Sequence, residues 1–242
     1  MLTKIEQQKT EQQKAEQQKT ERQKAEQQKT EQLKTEQQKT EQQKTKRQQI
    51  EQQKMLKQSI RKTVLQARDS LTMEERERGN ILLTERILGH QWFYCSEILL
   101  GFVNFGSEIS TEEIIKEALR RGKRVYVPKV LRGGEEPQMG FYRIASLEEL
   151  QSGYQGIREP SGCSEEYVYR AEEAEHTLML MPGAAFDGFR GRIGYGKGFY
   201  DRFLQDKPQL QLRTIGVGYL CQLVEELPMW EQDVRPYQVI CV

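Results

Sequence analysis

The densest chemistry in this 242-residue chain lies in one stretch, residues 182–187 (PGAAFD) followed by residues 191–201 (GRIGYGKGFYD). Glycines at 191, 194, 196 and 198 let a backbone turn tightly and bring its N–H groups close to a ligand. Arg192 and Lys197 add positive charge. A helix expected near 200–204 presents further amides at its start. The combination predicts a cradle for an anion, phosphates above all. Asp201, closing the stretch, is the nearest carboxylate for a metal ion on such a phosphate. Two common phosphate motifs do not apply. Gly191 to Lys197 match seven positions of a P-loop, but Gly198 stands where a hydroxyl would hold magnesium. A dinucleotide fingerprint would start directly after its strand, whereas this loop runs from Pro182 to Gly198. Other catalytic equipment is sparse. His90 and His176 are far apart, and Cys95, Cys163, Cys221 and Cys241 follow neither zinc nor dense disulfide spacing. A reducing cytosol is the expected compartment.

The elements that must position this loop alternate between helix and strand. Leu56, Ile60, Val64 and Ala67 recur at helical spacing, with Lys57 and Arg61 on another face. Thr72 with Glu75 is a capping box for a second helix running to about Leu88, and Ser110 with Glu113 is another. Ile114, Ile115, Ala118 and Leu119 then form a stripe, ended by Gly122. Strands are expected at 97–102, at 124–127 up to Pro128, and at 140–144. A loop around Gly133 and Gly134 joins the last two, and Ser146 with Glu149 caps a brief helix. The run 177–181 (TLMLM) suits a strand buried on both faces, and 215–218 and 239–242 are the expected last strands. This alternation predicts an α/β domain with a mostly parallel central sheet. Ligands then collect beyond the carboxyl ends of the strands, at the loops after Phe102 and after Met181.

Composition sets the limits of that domain. Residues 1–54 hold no Gly, Pro or aromatic residue, and 13 Lys and Arg stand against 9 Glu there. With so little apolar area the segment cannot offset its chain entropy. The pattern EQQKT or EQQKA recurs every five residues, which advances a helix by about 500° and spirals around it. No heptad seam forms, although each Glu and the Lys three residues on support one another weakly. A solvated helix or a disordered arm is expected over 1–54, and a folded unit over 55–242. In the folded part 24 basic residues face 27 acidic ones, which disfavours nucleic acid as a partner. No apolar run approaches membrane-spanning length and no secretory leader is visible.

The string PGAAFDGFRGRIGYGKGFYDRFL resembles the signature of the 5-formyltetrahydrofolate cyclo-ligase family, also called methenyltetrahydrofolate synthetases. Weaker matches lie in order along the chain: Lys57 with Arg61, residues 107–115 (SEISTEEII), Gly140 to Arg143, Gly156 to Pro160, and Gln222 to Pro228 with Asp233. The resemblance covers about 55–242. It implies a three-layer α/β/α sandwich acting as a cytoplasmic monomer on ATP and 5-formyltetrahydrofolate. It implies ATP-binding roles for Lys57, Arg61 and residues Arg192, Ile193, Gly194, Tyr195, Gly196, Lys197, Gly198, Phe199 and Tyr200. Arg192 and Lys197 are the implied catalytic charges. Val103, Glu108, Tyr195 and Tyr200 would line the folate site, and Asp201 and Asp233 would hold Mg²⁺. The chain departs from the family pattern where Gln155 replaces a usual Trp, Arg158 a usual Pro and Tyr237 a frequent Asp. Two other readings are a non-catalytic nucleotide- or folate-binding relative and a partner-binding protein acting through the arm.

Overall fold

The computed structural model describes residues 39–131, 133, 137–161 and 164–242. Most of the repeat arm, Cys163 and Gly134 therefore lie outside the described residues. Residues 39–54 are helical with every side chain exposed. Contacts divide the chain after Met55, and the unit Leu56–Val242 is described by itself.

It opens with helix α1, residues 56–69. The buried stripe of α1 is Lys57, Val64 and Arg68, with Ile60 and Arg61 half-buried. This corrects the expected apolar face, because Leu56 and Ala67 are exposed. The helix turns its basic residues inward, and their partners, described below, make that burial tolerable. Helix α2 (Met73–Leu88) starts at the expected capping box: Thr72 Oγ1 accepts from Glu75 N while Glu75 Oε2 accepts from Thr72 N. Helix α3 spans Gln91–Cys95, capped by His90 Nδ1, so this histidine serves structure. Strand β1 (Ile98–Leu100) is shorter than expected. Helix α4 (Glu112–Arg120) follows. The capping box expected from Ser110 does not form. Thr111 is the N-cap, and its hydroxyl is drawn away to the carbonyl of Phe102.

Strand β2 (Arg124–Leu131) runs through Pro128, where an end was expected. Tyr126 O accepts from Gly101 N (2.9 Å) on the β1 side. Alternate residues face alike, so Pro128 turns its nitrogen past the end of β1, where no ladder bond is lost. Strand β3 (Gln138–Ile144) returns antiparallel to β2. After the small hairpin of β4 (Leu150–Ser152) and β5 (Arg158–Pro160), β6 (Thr177–Met181) crosses the centre with all five residues buried. Strands β7 (Ala185–Asp187) and β8 (Arg192–Ile193), helices α5 (Phe199–Leu204) and α6 (Pro208–Gln211), β9 (Thr214–Gly218), β10 (Leu223–Val224) and β11 (Gln238–Cys241) complete the unit.

The main sheet has the order β11-β9-β6-β1-β2-β3, parallel except for β3. Side chains alternate across it. Leu99, Leu178, Leu180, Val125 and Val127 join Leu83, Ile87, Ile114 and Ile115 of α2 and α4 on one face. Ile98, Leu100, Met179, Met181 and Tyr126 join Leu204 and Leu210 of α5 and α6 on the other. Each such side chain, fully buried, contributes roughly 1.5–3 kcal/mol. The fold is thus mixed α/β with a mostly parallel central sheet. From β1 the chain steps outward one way, to β2 and β3; from β6 it steps the other way, to β9 and β11. The crevice between β1 and β6 is therefore the switch point at which such sheets bind ligands.

Candidate active site

Two loops leave the carboxyl ends of β1 and β6, and α1 supplies the side chains between them. The β6 loop is held from below. Asp187, 2% exposed, accepts from Phe189 N (2.9 Å) and Gly191 N (2.6 Å) with one oxygen and from Leu227 N (2.8 Å) with the other. A side chain at Gly191 would strike that carboxylate. Gln222, also buried, donates to Gly183 O (2.7 Å) and Ala184 O (3.1 Å) and accepts from Tyr219 N (3.0 Å). Ile193 packs with Val64, Ala185 and Leu227 beneath the loop. Gly196 (φ +93°) and Gly198 (φ +63°) need the left-handed conformation that other residues resist. No amide of residues 195–198 donates a backbone hydrogen bond among the described residues, so a run of donors is left for a ligand.

The charges around this loop are braced unequally. Arg192 pairs with Asp201 (2.9 Å) and donates to Pro182 O (3.3 Å), while its buried Nε has no partner. Asp201 also accepts from Val234 N (3.1 Å) through the same oxygen. Lys57, 8% exposed, pairs with Asp233 and sits 3.9 Å above the Trp230 ring. Asp233 Oδ2 accepts from Trp230 N (2.7 Å) as well. Thus Asp201 and Asp233 each commit one carboxylate oxygen and leave the other open among the described residues. Arg61 has no acidic partner there. Its Nε donates to Gly194 O (2.9 Å), and burial lowers its pKa, the mark of an uncompensated cation. Lys197 is exposed and makes no ion pair there. No cluster of three His, Cys, Asp or Glu that could hold a metal occurs among the described residues.

The β1 loop carries the other half of the site. Val103 is buried in the main core. Glu108 folds back to accept from Phe105 N (2.9 Å). Burial raises its pKa, opposed by the Tyr195 hydroxyl, that amide and the Arg68 charge. Tyr195 leaves 44% of its surface exposed, yet its hydroxyl lies against Arg68 (2.6 Å) and Glu108, and burial of that end raises its pKa. Tyr200 is likewise held protonated by burial, reinforced by the Glu108 charge and opposed by Arg192, whose guanidinium lies 5.5 Å from its ring. Phe199 meets the Tyr154 ring edge-on at 6.4 Å. Gln155 adopts the left-handed φ of 54° beside them. Arg158 pairs with Glu112 at the end of the β1 loop, and Tyr237 packs on Trp92 at 5.4 Å and lies beneath Arg190 of the β6 loop, whose guanidinium is 5.8 Å from the Tyr237 ring.

The structure brings Lys57, Arg61, Glu108, Arg192 to Asp201, and Asp233 to one side of the sheet. Sequence reasoning missed Arg68, Trp230 and the anchoring work of Asp187 and Gln222. Arg68 was findable, since it continues the helical spacing of Lys57, Arg61 and Val64. Trp230 carried no such signal.

The chain has recognisable relatives. The profile of the 5-formyltetrahydrofolate cyclo-ligase family matches residues 52–242. A probable 5-formyltetrahydrofolate cyclo-ligase of Caenorhabditis elegans is 32% identical over 70% of this chain and 84% of its own. The 5-formyltetrahydrofolate cyclo-ligase of Escherichia coli is 29% identical over 71% and 92%. Among solved structures, the 5,10-methenyltetrahydrofolate synthetase of Aquifex aeolicus superposes with a TM-score of 0.61 at 30% identity, covering 75% of this chain and 87% of that one. A Mycoplasma pneumoniae synthetase, 20% identical over 76% of this chain and 97% of its own, shares the fold with a TM-score of 0.58. The chain belongs to the 5-formyltetrahydrofolate cyclo-ligase family.

Proposed function

We propose that this chain closes 5-formyltetrahydrofolate to 5,10-methenyltetrahydrofolate, splitting ATP to ADP and phosphate, as a three-layer, monomeric cytoplasmic enzyme. One observation carries the reading: a half-buried arginine without an acid, Arg61, beside a loop of four open amides. A buried cation without a counter-charge and a row of free donors both favour a polyanion. A triphosphate supplies one.

In this reading residues 192–200 and Lys57, Arg61 and Arg192 hold the phosphates. Phosphoryl transfer needs little covalent help from the protein, so positioning and charge do most of the work. Arg192, fixed by Asp201, and the exposed charge of Lys197 offset negative charge as it shifts along the chain of phosphates. Glu108, with its carboxylate ionised, accepts hydrogen bonds from the pterin amino and ring N–H groups, beside Val103, Tyr195 and Tyr200. The formyl oxygen then lies within reach of the γ-phosphorus. Its attack forms a P–O bond as the bridge to ADP breaks. N10 next attacks the formyl carbon, the C–O bond to phosphate breaks, and N10 loses its proton. Tyr195, between Glu108 and the glycine-rich loop, keeps the two substrates adjacent.

The carboxylates suit Mg²⁺. Asp201 and Asp233 each have one oxygen free, and Mg²⁺ commonly takes one or two carboxylates with waters and substrate phosphates rather than a full protein cage. Bound there, it would screen the phosphate charge. The test is the purified full chain with Mg-ATP and 5-formyltetrahydrofolate. The expected result is a rise in methenyl absorbance that needs both substrates. ATP hydrolysis without the folate, or no product at all, overturns the reading.

A further inference from the structure

Arg68 has no role in the scheme above, yet it joins the two loops. It is 5% exposed, and among the described residues it has no acidic ion-pair partner. Its Nε donates to Ser107 Oγ in the β1 loop (2.9 Å), and one terminal nitrogen donates to Tyr195 Oη in the β6 loop (2.6 Å). Ser107 donates its own hydrogen bond to Asp69 Oδ1. Tyr195, having accepted from Arg68, is left to donate to Glu108. Glu108 in turn holds the Phe105 amide. A planar guanidinium can serve two acceptors at fixed angles at once, which a lysine ammonium on a flexible stem does poorly. Buried chains of this kind specify one arrangement when every member is satisfied. The groups facing Glu108 are Tyr195 from the β6 loop, Arg68 from α1 and Tyr200 from α5, together with the Phe105 amide of its own loop.

We propose that Arg68 is a positioning residue: through the Tyr195 hydroxyl it ties the folate carboxylate Glu108 to the glycine-rich loop, so that the folate half of the site is set by the nucleotide half. The proposal rests on the cyclo-ligase reading. Arg68 touches neither substrate and acts through Tyr195 and Ser107.

The test uses the full chain, with Arg68→Gln, Tyr195→Phe and the double variant, and steady-state kinetics for each substrate across pH. Each single variant raises KM for 5-formyltetrahydrofolate about tenfold, the size of one lost charge-assisted hydrogen bond, and raises KM for ATP much less. In both, the acidic limb of kcat/KM for the folate moves to higher pH, because Arg68 and Tyr195 each favour the ionised carboxylate. The double variant is no worse than the worse single, since both break one chain. Tyr195→Phe keeps the ring and its packing, so the test survives a poorly folding Arg68→Gln. Additive losses, an unmoved acidic limb, or an equal rise in both KM values overturns the proposal. If the wild type forms product and the variants match it, the proposal alone fails. If the wild type forms none, the cyclo-ligase reading fails and this proposal with it.

Discussion

The loops after β1 and β6 solve the same problem by opposite means. The β6 loop is gripped by two buried polar side chains, Asp187 and Gln222, which satisfy its backbone from beneath. Its upper surface is thereby freed to present amides. The β1 loop is clasped at its ends by Thr111 and Phe102 and is otherwise steered by side chains arriving from α1 and by Asn80 of α2, which accepts from Ser110 N. In the proposed site one loop would offer backbone to its ligand and the other a carboxylate. A loop that binds through amides must have its carbonyls and remaining donors tied down elsewhere. A loop that binds through a side chain needs only that side chain aimed.

The contrast yields graded expectations. Asp201→Ala strikes the β6 loop at its charge centre. It removes the carboxylate oxygen proposed for Mg²⁺ and strands Arg192, whose side chain is 3% exposed. Turnover should fall by at least about 100-fold, the scale of a lost charge stabiliser, in steady-state assays. Lys197→Ala should approach the same loss with no change in stability, because that side chain is exposed. Asp187→Ala tests the grip. Three hydrogen bonds from backbone amides go with it, two of them buried, and unfolding in urea should show a loss of about 3–5 kcal/mol. A loss under 1 kcal/mol would erase the distinction between the loops.

Glu108→Gln tests the aimed side chain. KM for the folate should rise about tenfold, with little change for ATP. In the wild type kcat/KM for the folate should fall as pH drops through a value above the usual 4.5, because burial raises the Glu108 pKa. The glutamine variant should lack that limb. The stability effect has the opposite sign. A carboxyl with a raised folded pKa favours the fold below the ordinary value and loses that contribution as pH rises through the raised one. Glu108→Gln should therefore be more stable than the wild type at neutral pH, measured by thermal unfolding. The smallest effect belongs to the arm: removing residues 1–54 should leave turnover within about twofold.

How much of this was legible beforehand depended on how local the cause was. Residues 177–181 read as a doubly buried strand because four consecutive apolar residues after Thr177 allow little else, and the structure agrees. Thr72 and Glu75 read as a cap because their reciprocal bonds involve only neighbours. Ser110 and Glu113 fit the same pattern and failed, because the Thr111 hydroxyl found a better acceptor nine residues back. Pro128 read as a strand end, and only the short length of β1 made it harmless. The inward face of α1 was misjudged for a similar reason. Apolar spacing pointed to Leu56 and Ala67, while Asp233, Gly194 and Tyr195, far along the chain, drew Lys57, Arg61 and Arg68 inside.

The sequence by itself determined the alternation of helix and strand, the glycine-rich and cationic make-up of residues 191–198 and the family. Each follows from residue types close together in the chain: apolar period, glycine freedom and adjacent charge. Only the tertiary structure decided which charges are neutralised and which stand ready. Whether Lys57 finds Asp233 while Arg61 finds only a carbonyl depends on contacts more than 100 residues apart. No local pattern encodes those, because the low-dielectric interior that gives them weight exists only once the chain has folded.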